Sequence, residues 1–260
     1  MENIQKLCFV LLLVVSLACT SDETVNTNDN ETEEPVVGNF VVNFDNVIAE
    51  QGLSLQQMYD KVGGETISIN ELKYIISNIV LIDENGNEFV YPQEDSYFLI
   101  NEAVSSSQRL TLQDVNANNY TGIRFGIGVD QSHYPLNGVQ NFVPTAEENN
   151  MLWSWSAGYI FMRIEGLYSS SQSTDSPFRL HIGSHGQNLD NYKEVSLDFL
   201  QPLAVSETEN PEININFDVL KLFSGQHEIL LEDKDDIQID PENAPKITEN
   251  YLGAFEIALN

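Results

Sequence analysis

The chain has 260 residues, 42% of them hydrophobic, and carries 40 acidic against 11 basic side chains for a net charge of −29. That balance repels nucleic acid and anionic membrane surfaces, because no basic patch is present to release counterions. Nucleic-acid binding is excluded, while the apolar fraction suffices for an ordinary buried core.

The first residues read as targeting signal, not structure. Lys6 precedes an apolar run over residues 7–17, followed by Ala18-Cys19. The run is too short to span a bilayer as a mature helix but fits a secretory h-region that ends in small residues. Leu17-Ala18-Cys19 resembles a bacterial lipoprotein cleavage junction, which makes 1–18 a lipoprotein signal peptide and Cys19 the lipidated first residue of the mature chain. The alternative is an ordinary cleavage site with a small residue beside it. With Cys8 leaving in the signal and Cys19 lipidated, the mature domain has no thiol or disulfide, so any metal must be held by His, Met, carboxylate or backbone. After Cys19 an acidic, polar stretch runs to residue 37. It cannot bury enough surface to offset ordering entropy and reads as a disordered tether. Its acidic residues resemble surface-export signals of Bacteroidetes-type lipoproteins. The expected location is therefore lipid-anchored at the outer membrane, on the periplasmic or cell-surface face.

Residues 38–260 read as one domain, mostly strand. Apolar or alternating runs occur at 40–44, 66–69, 72–82, 88–91, 109–112, 120–129, 156–165, 177–182, 194–199, 203–205 and 212–217. Asn85-Gly86 between two of them is a hairpin signal. Asp83, Asn85 and Asn87 imitate the start of a calcium loop, but the distal Glu is missing. Residues 218–223 suggest one or two helical turns, and 246–255 a short helix or a final strand. Many short strands separated by Gly, Pro, Asn and Ser predict an all-β fold: a β-sandwich with Greek-key-like connections and one or two short helical segments. The 169–176 segment is a polar loop and 233–242 an acidic one.

Both tryptophans, Trp153 and Trp155, fall in the run 151–161, which reads as strand. Two residues along a strand returns to the same face, so both indoles project together, with Tyr159 and Phe161 continuing that face. Tryptophan there is usually core; the alternative is a site wall. Of the four histidines, His181 alternates with Leu180 and Ile182 and so leaves its strand on the polar face or at a site wall. His133 follows the strand ending Gly126-Ile127-Gly128-Val129-Asp130 and lies in the loop 131–137. His185 sits in a glycine-flanked turn, and His227 looks ordinary. There is no nucleophile elbow, P-loop, Rossmann fingerprint, HExxH or haem-attachment motif, so a hydrolase has no positive support and no enzymatic activity is expected.

Several segments in order resemble the MbnP-like family of exported copper-binding proteins. They are Phe44-Asp45-Asn46; the long strand from Leu72-Lys73-Tyr74 to Ile79; Tyr120 to Val129 around Gly126-Ile127-Gly128; His133 with Pro135-Leu136-Asn137; Met151-Leu152-Trp153-Ser154-Trp155 with Gly158-Tyr159; and Leu180-His181-Ile182-Gly183-Ser184. The resemblance implies a β-rich exported protein holding one copper ion, as Cu(I) or Cu(II), between two imidazoles and an oxidised tryptophan. It also implies a dihaem cytochrome c peroxidase-like partner that oxidises the indole. Carried over by motif, the metal ligands are His181 and His133, and the oxidisable position is Trp155, with Trp153 as the substitute. The chain departs from the family in lacking disulfide cysteines and in carrying Asn46 where some members have histidine. The competing expectation is a metal-free surface module that recognises a glycan or protein, with exposed Trp153 and Trp155 as a stacking platform.

Overall fold

The structure, a computed structural model, describes residues 35–130, 141–153, 158–185 and 189–259. The expected signal peptide and tether up to residue 34, including Cys19, and His133 and Trp155 lie outside the described residues. In chain order the elements are β1 (Val37–Ile48), β2 (Gln51–Gly52), β3 (Met58–Asp60), β4 (Thr66–Asp83), β5 (Glu88–Val90), β6 (Tyr97–Asn101), β7 (Arg109–Asn116) and β8 (Asn118–Ile127). Then follow α1 (Val143–Glu148), β9 (Met162–Ser169), β10 (Ser176–Ile182), β11 (Lys193–Val205), β12 (Glu212–Asp218), α2 (Lys221–Ser224), β13 (Asp236–Ile237), α3 (Asn243–Tyr251) and β14 (Phe255–Ile257).

These strands form an all-β sandwich. One sheet runs β14-β12-β1, with β2 and β7 sharing the remaining edge of β1. The other is built on β4 and carries β3, β5, β6, β8, β9, β10, β11 and β13. The chain passes repeatedly between the two sheets, and β1 pairs with the distant β12 in parallel. Aromatic side chains fill the space between the sheets: within the first sheet Phe217 stacks on Phe255 at 4.5 Å between centroids, and across the sheets Phe44 meets Phe125 edge-on at 5.4 Å. Tyr74, fully buried, packs on Phe217 at 5.0 Å.

Strand β4 organises the second sheet, and its inward side changes parity twice. Ile67 and Ile69 point into the main core, then Leu72, Tyr74 and Ile76, then Ile79 and Leu81. Each change coincides with a register irregularity, the second at Asn78, whose φ is +50°. A bulge inserts one residue and flips the face, and asparagine tolerates the left-handed region better than most residues. Tyr74 pairs with β6 and β9, whereas Ile76 pairs with β6 and β8. Strands β8 and β9 therefore share one edge of β4 end to end and part at Ile75. There Ile75 donates to the Phe161 carbonyl and accepts from Gly128.

The parting is covered by a second apolar cluster on the outer face: Ile75, Val129, Phe142, Met151, Trp153 and Phe161 are among its members. It explains why residues 72–82 are apolar with little alternation, since that strand is covered on both sides. At Gly128, with φ +100°, a Cβ would lie 2.3 Å from the Phe161 ring, so only glycine admits the ring there.

Three expectations change. The run 151–161 is not one strand but folds back on itself. Leu152 bridges Tyr159, Trp153 N donates to the Gly158 carbonyl, and β9 begins only at Met162. Helix α1, with Pro144 in its first turn, is a third helical segment that the sequence pattern does not single out. Residues 246–255 divide between α3 and the start of β14. The Asn85-Gly86 hairpin forms with left-handed φ at Gly86 alone, and Gly86 N donates to the Asp83 carbonyl. This makes a type I turn closed by a left-handed glycine in place of a two-residue primed turn.

Candidate functional site

His181 ends β10 on the outer face of the second sheet. Its neighbours Leu180 and Ile182 point into the main core, so alternation alone turns the imidazole outward. Outward here does not mean exposed, because His181 is only 6% accessible. In register across three strands lie Lys73, Arg163 and His181, and beside them Glu71, Glu165 and Arg179. The two carboxylates thread these potential cations. Glu71 binds Lys73 at 2.6 Å and Arg163 at 2.8 Å; Glu165 binds Arg163 at 2.8 Å and His181 Nε2 at 2.7 Å. Three of the eleven basic residues of this acidic chain thus gather on one patch.

Burial, opposed by the Glu165 hydrogen bond and reinforced by the Arg163 charge, holds the His181 imidazole below the usual histidine range. The ring is therefore neutral at physiological pH and has a nitrogen lone pair to offer. Burial pushes Glu71 up, but hydrogen bonds from Lys73 and Arg163 outweigh it and leave its carboxyl below the usual range.

The lid on this patch comes from α1 and the segment behind it. Asn150, in the left-handed region at φ +58°, ends the helix, and Met151 N donates back to the Ala146 carbonyl. The turn carbonyls are fastened to the charged rows, with Lys73 Nζ donating to Asn149 O at 3.2 Å and an Arg163 Nη1–H to Asn150 O at 3.4 Å. Chain reversal then lays Trp153, 6% accessible, against the imidazole, with ring centroids 6.2 Å apart and planes inclined by 49°. Gly183, just past His181, allows the approach of the returning segment; a Cβ there would lie 2.4 Å from the Tyr159 carbonyl oxygen.

The structure brings His181 and Trp153 together. His133 and Trp155 lie outside the described residues, although Val129, four residues before His133 in the chain, packs in the same cluster as Trp153. Among the described residues no group of three or more His, Cys, Asp or Glu is placed to hold a metal ion. His185 joins a turn through its backbone, donating to the Leu189 carbonyl, and His227 pairs with Glu249 at the surface. Asn46 is buried between the sheets, accepting from Tyr74 Oη and donating to Glu102, each at 2.8 Å, on the face of β4 opposite His181. The exposed stacking platform is corrected at Trp153, which is buried. Glu165, Arg163, Glu71 and Lys73 are the residues that sequence reasoning missed. The only signal was polar residues at alternate positions of β9 and β4, and it does not say which partners they meet.

No curated protein matches the chain. Among solved structures, MbnP from Methylosinus trichosporium has a similar fold, with a TM-score of 0.50 over 74% of this chain and 79% of that chain at 13% identity. At that identity the likeness speaks to fold alone. The MbnP family model matches residues 37–244. The chain belongs to the MbnP family.

Proposed function

We propose that the protein is an exported, lipid-anchored copper-binding protein that captures or hands over copper and has no catalytic turnover of its own. The observation that carries this reading is the buried contact between the His181 imidazole and the Trp153 indole, 6.2 Å apart at the parting of β8 and β9. Imidazole suits copper, and a low-coordinate site favours Cu(I). The donor chemistry fits: a neutral, buried imidazole in a chain whose mature part has no disulfide, within a strongly acidic molecule that tolerates cations. His181 is one ligand, and His133 is proposed as the second.

The same contact supports Trp153 as the indole beside the ligand, ahead of Trp155. Oxidation of that indole by a dihaem cytochrome c peroxidase-like partner, as the family resemblance implies, would open it to an aryl amine and ketone and make it a nitrogen donor. Anchoring at Cys19 and an acidic tether would hold the domain clear of the membrane surface. Burial of Trp153 weighs against the metal-free stacking module.

Titration of the mature domain with Cu(I) against a competing chelator at neutral pH tests the assignment. Loss of tight binding in His181→Ala is expected, and unchanged binding would overturn it. Peptide mapping of the native exported protein across residues 151–163 reads the oxidation state of Trp153 and Trp155 separately.

A further inference from the structure

We propose that Glu165 is a positioning residue for His181, an inference that rests on the copper reading above: its carboxylate takes the Nε2–H of the imidazole and leaves Nδ1 as the nitrogen available to the metal. The 2.7 Å contact joins Glu165 Oε1 to Nε2. An ionised carboxylate only accepts hydrogen bonds, so the ring nitrogen it touches must carry the proton. In a neutral imidazole the other nitrogen then holds the lone pair, and Nδ1 has no hydrogen-bond partner among the described residues.

The carboxylate is itself held in place. Arg163, two residues before it on β9, forms an ion pair with the same oxygen at 2.8 Å, and Arg179, directly opposite in the register, approaches it at 3.8 Å. Arg163 is in turn fixed by Glu71 and by the Asn150 carbonyl that closes the turn before Trp153. One chain of contacts thus runs from the lid, through Arg163 and Glu165, to the ring nitrogen opposite the one left open. Metal-binding histidines commonly have such a carboxylate on the other nitrogen, which fixes tautomer and ring orientation. The pair His227–Glu249 offers a contrast, because it is more exposed on both side chains and, among the described residues, no arginine shares its carboxylate.

The test begins without copper. In protein labelled with 15N in its imidazoles, long-range proton–nitrogen spectra at neutral pH should show His181 protonated at Nε2 and bare at Nδ1. Glu165→Gln should keep that tautomer, since the amide oxygen accepts the same bond, while Glu165→Ala should give a mixture. Cu(I) affinity by chelator competition should fall about 10–100-fold in Glu165→Ala and by less in Glu165→Gln. A wild-type ring protonated at Nδ1, or a tautomer unmoved in Glu165→Ala, overturns the proposal, and the wild-type spectrum suffices if the alanine variant does not fold. Absence of Cu(I) binding in the wild type would instead remove the copper reading, with the spectra still deciding the role of Glu165.

Discussion

Strands β4, β9 and β10 present two faces of opposite character within the thickness of a single sheet. Inward, Leu72, Tyr74, Met162, Ile164, Leu180 and Ile182 join the main core between the sheets. Outward, from the alternate positions, come Lys73, Arg163 and His181 with their carboxylates. The inner face is sealed chiefly by apolar packing, with the Tyr74–Asn46 hydrogen bond buried within it. On the outer face, burial beneath a folded-back segment leaves one imidazole neutral and lined by an indole, while hydrogen bonds and ion pairs hold the charged groups around it. Buried polar groups are costly unless paired, and here each strand-borne charge has a partner. The comparison teaches that stability and chemistry occupy alternate residues of the same strands, and that changes on one face should leave the other largely intact.

Four substitutions or conditions test that separation. Phe217→Ala removes the ring stacked on Phe255 inside the main core. It should cost about 3–5 kcal/mol in urea unfolding, with copper stoichiometry unchanged in the fraction that remains folded. Arg163→Ala removes a hydrogen-bond donor from Glu71 and the Asn150 carbonyl and an ion-pair partner from Glu165 at once. A loss of about 1–3 kcal/mol is expected, accompanied by weakened Cu(I) binding, which Phe217→Ala does not show. Trp153→Phe keeps an aromatic ring over His181 and should cost less than about 1.5 kcal/mol. It should also remove most of any copper-dependent quenching of tryptophan fluorescence; full quenching retained in this variant would place the responsive indole at Trp155.

The smallest effect is the pH dependence of the outer face. Because the folded imidazole of His181 binds its proton less readily than the unfolded one, its contribution is fully present above the ordinary histidine range and is lost as pH falls below about 6.5. A second buried group, Glu65 in its 2.7 Å pair with Lys61, differs in window. Burial raises Glu65, but the Lys61 hydrogen bond and the backbone N–H groups of Glu232 and Leu231 bring it below the usual carboxylate range. Its contribution is present above the ordinary glutamate range and is lost at more acid pH, as its depressed folded value is crossed. Urea midpoints followed from pH 7 to pH 3 should therefore fall in two stages, and His181→Gln should abolish only the first.

Alternation, turn residues and strand spacing made the sandwich, the Asn85-Gly86 hairpin and the outward direction of His181 legible from sequence, because they depend on backbone geometry over a few residues. The run 151–161 misled for the same reason. Its apolar residues fit a continuous strand, and nothing local signals the reversal that bridges Leu152 to Tyr159. Nor does sequence reveal that Glu165 rather than Glu71 meets His181, since that choice depends on the pairing register of β9 with β10.

By itself, the order of motifs along the chain determined the family and the strand-rich architecture, since a period-two pattern and turn chemistry are written in neighbouring residues. Tertiary structure alone decided that Trp153 covers His181 and that Arg163 and Glu165 fasten the imidazole. Those contacts join residues about 28 and 16 positions apart, and a shift of one residue in the register of β9 or β10 would turn the strand-borne Arg163, Glu165 or His181 to the other face.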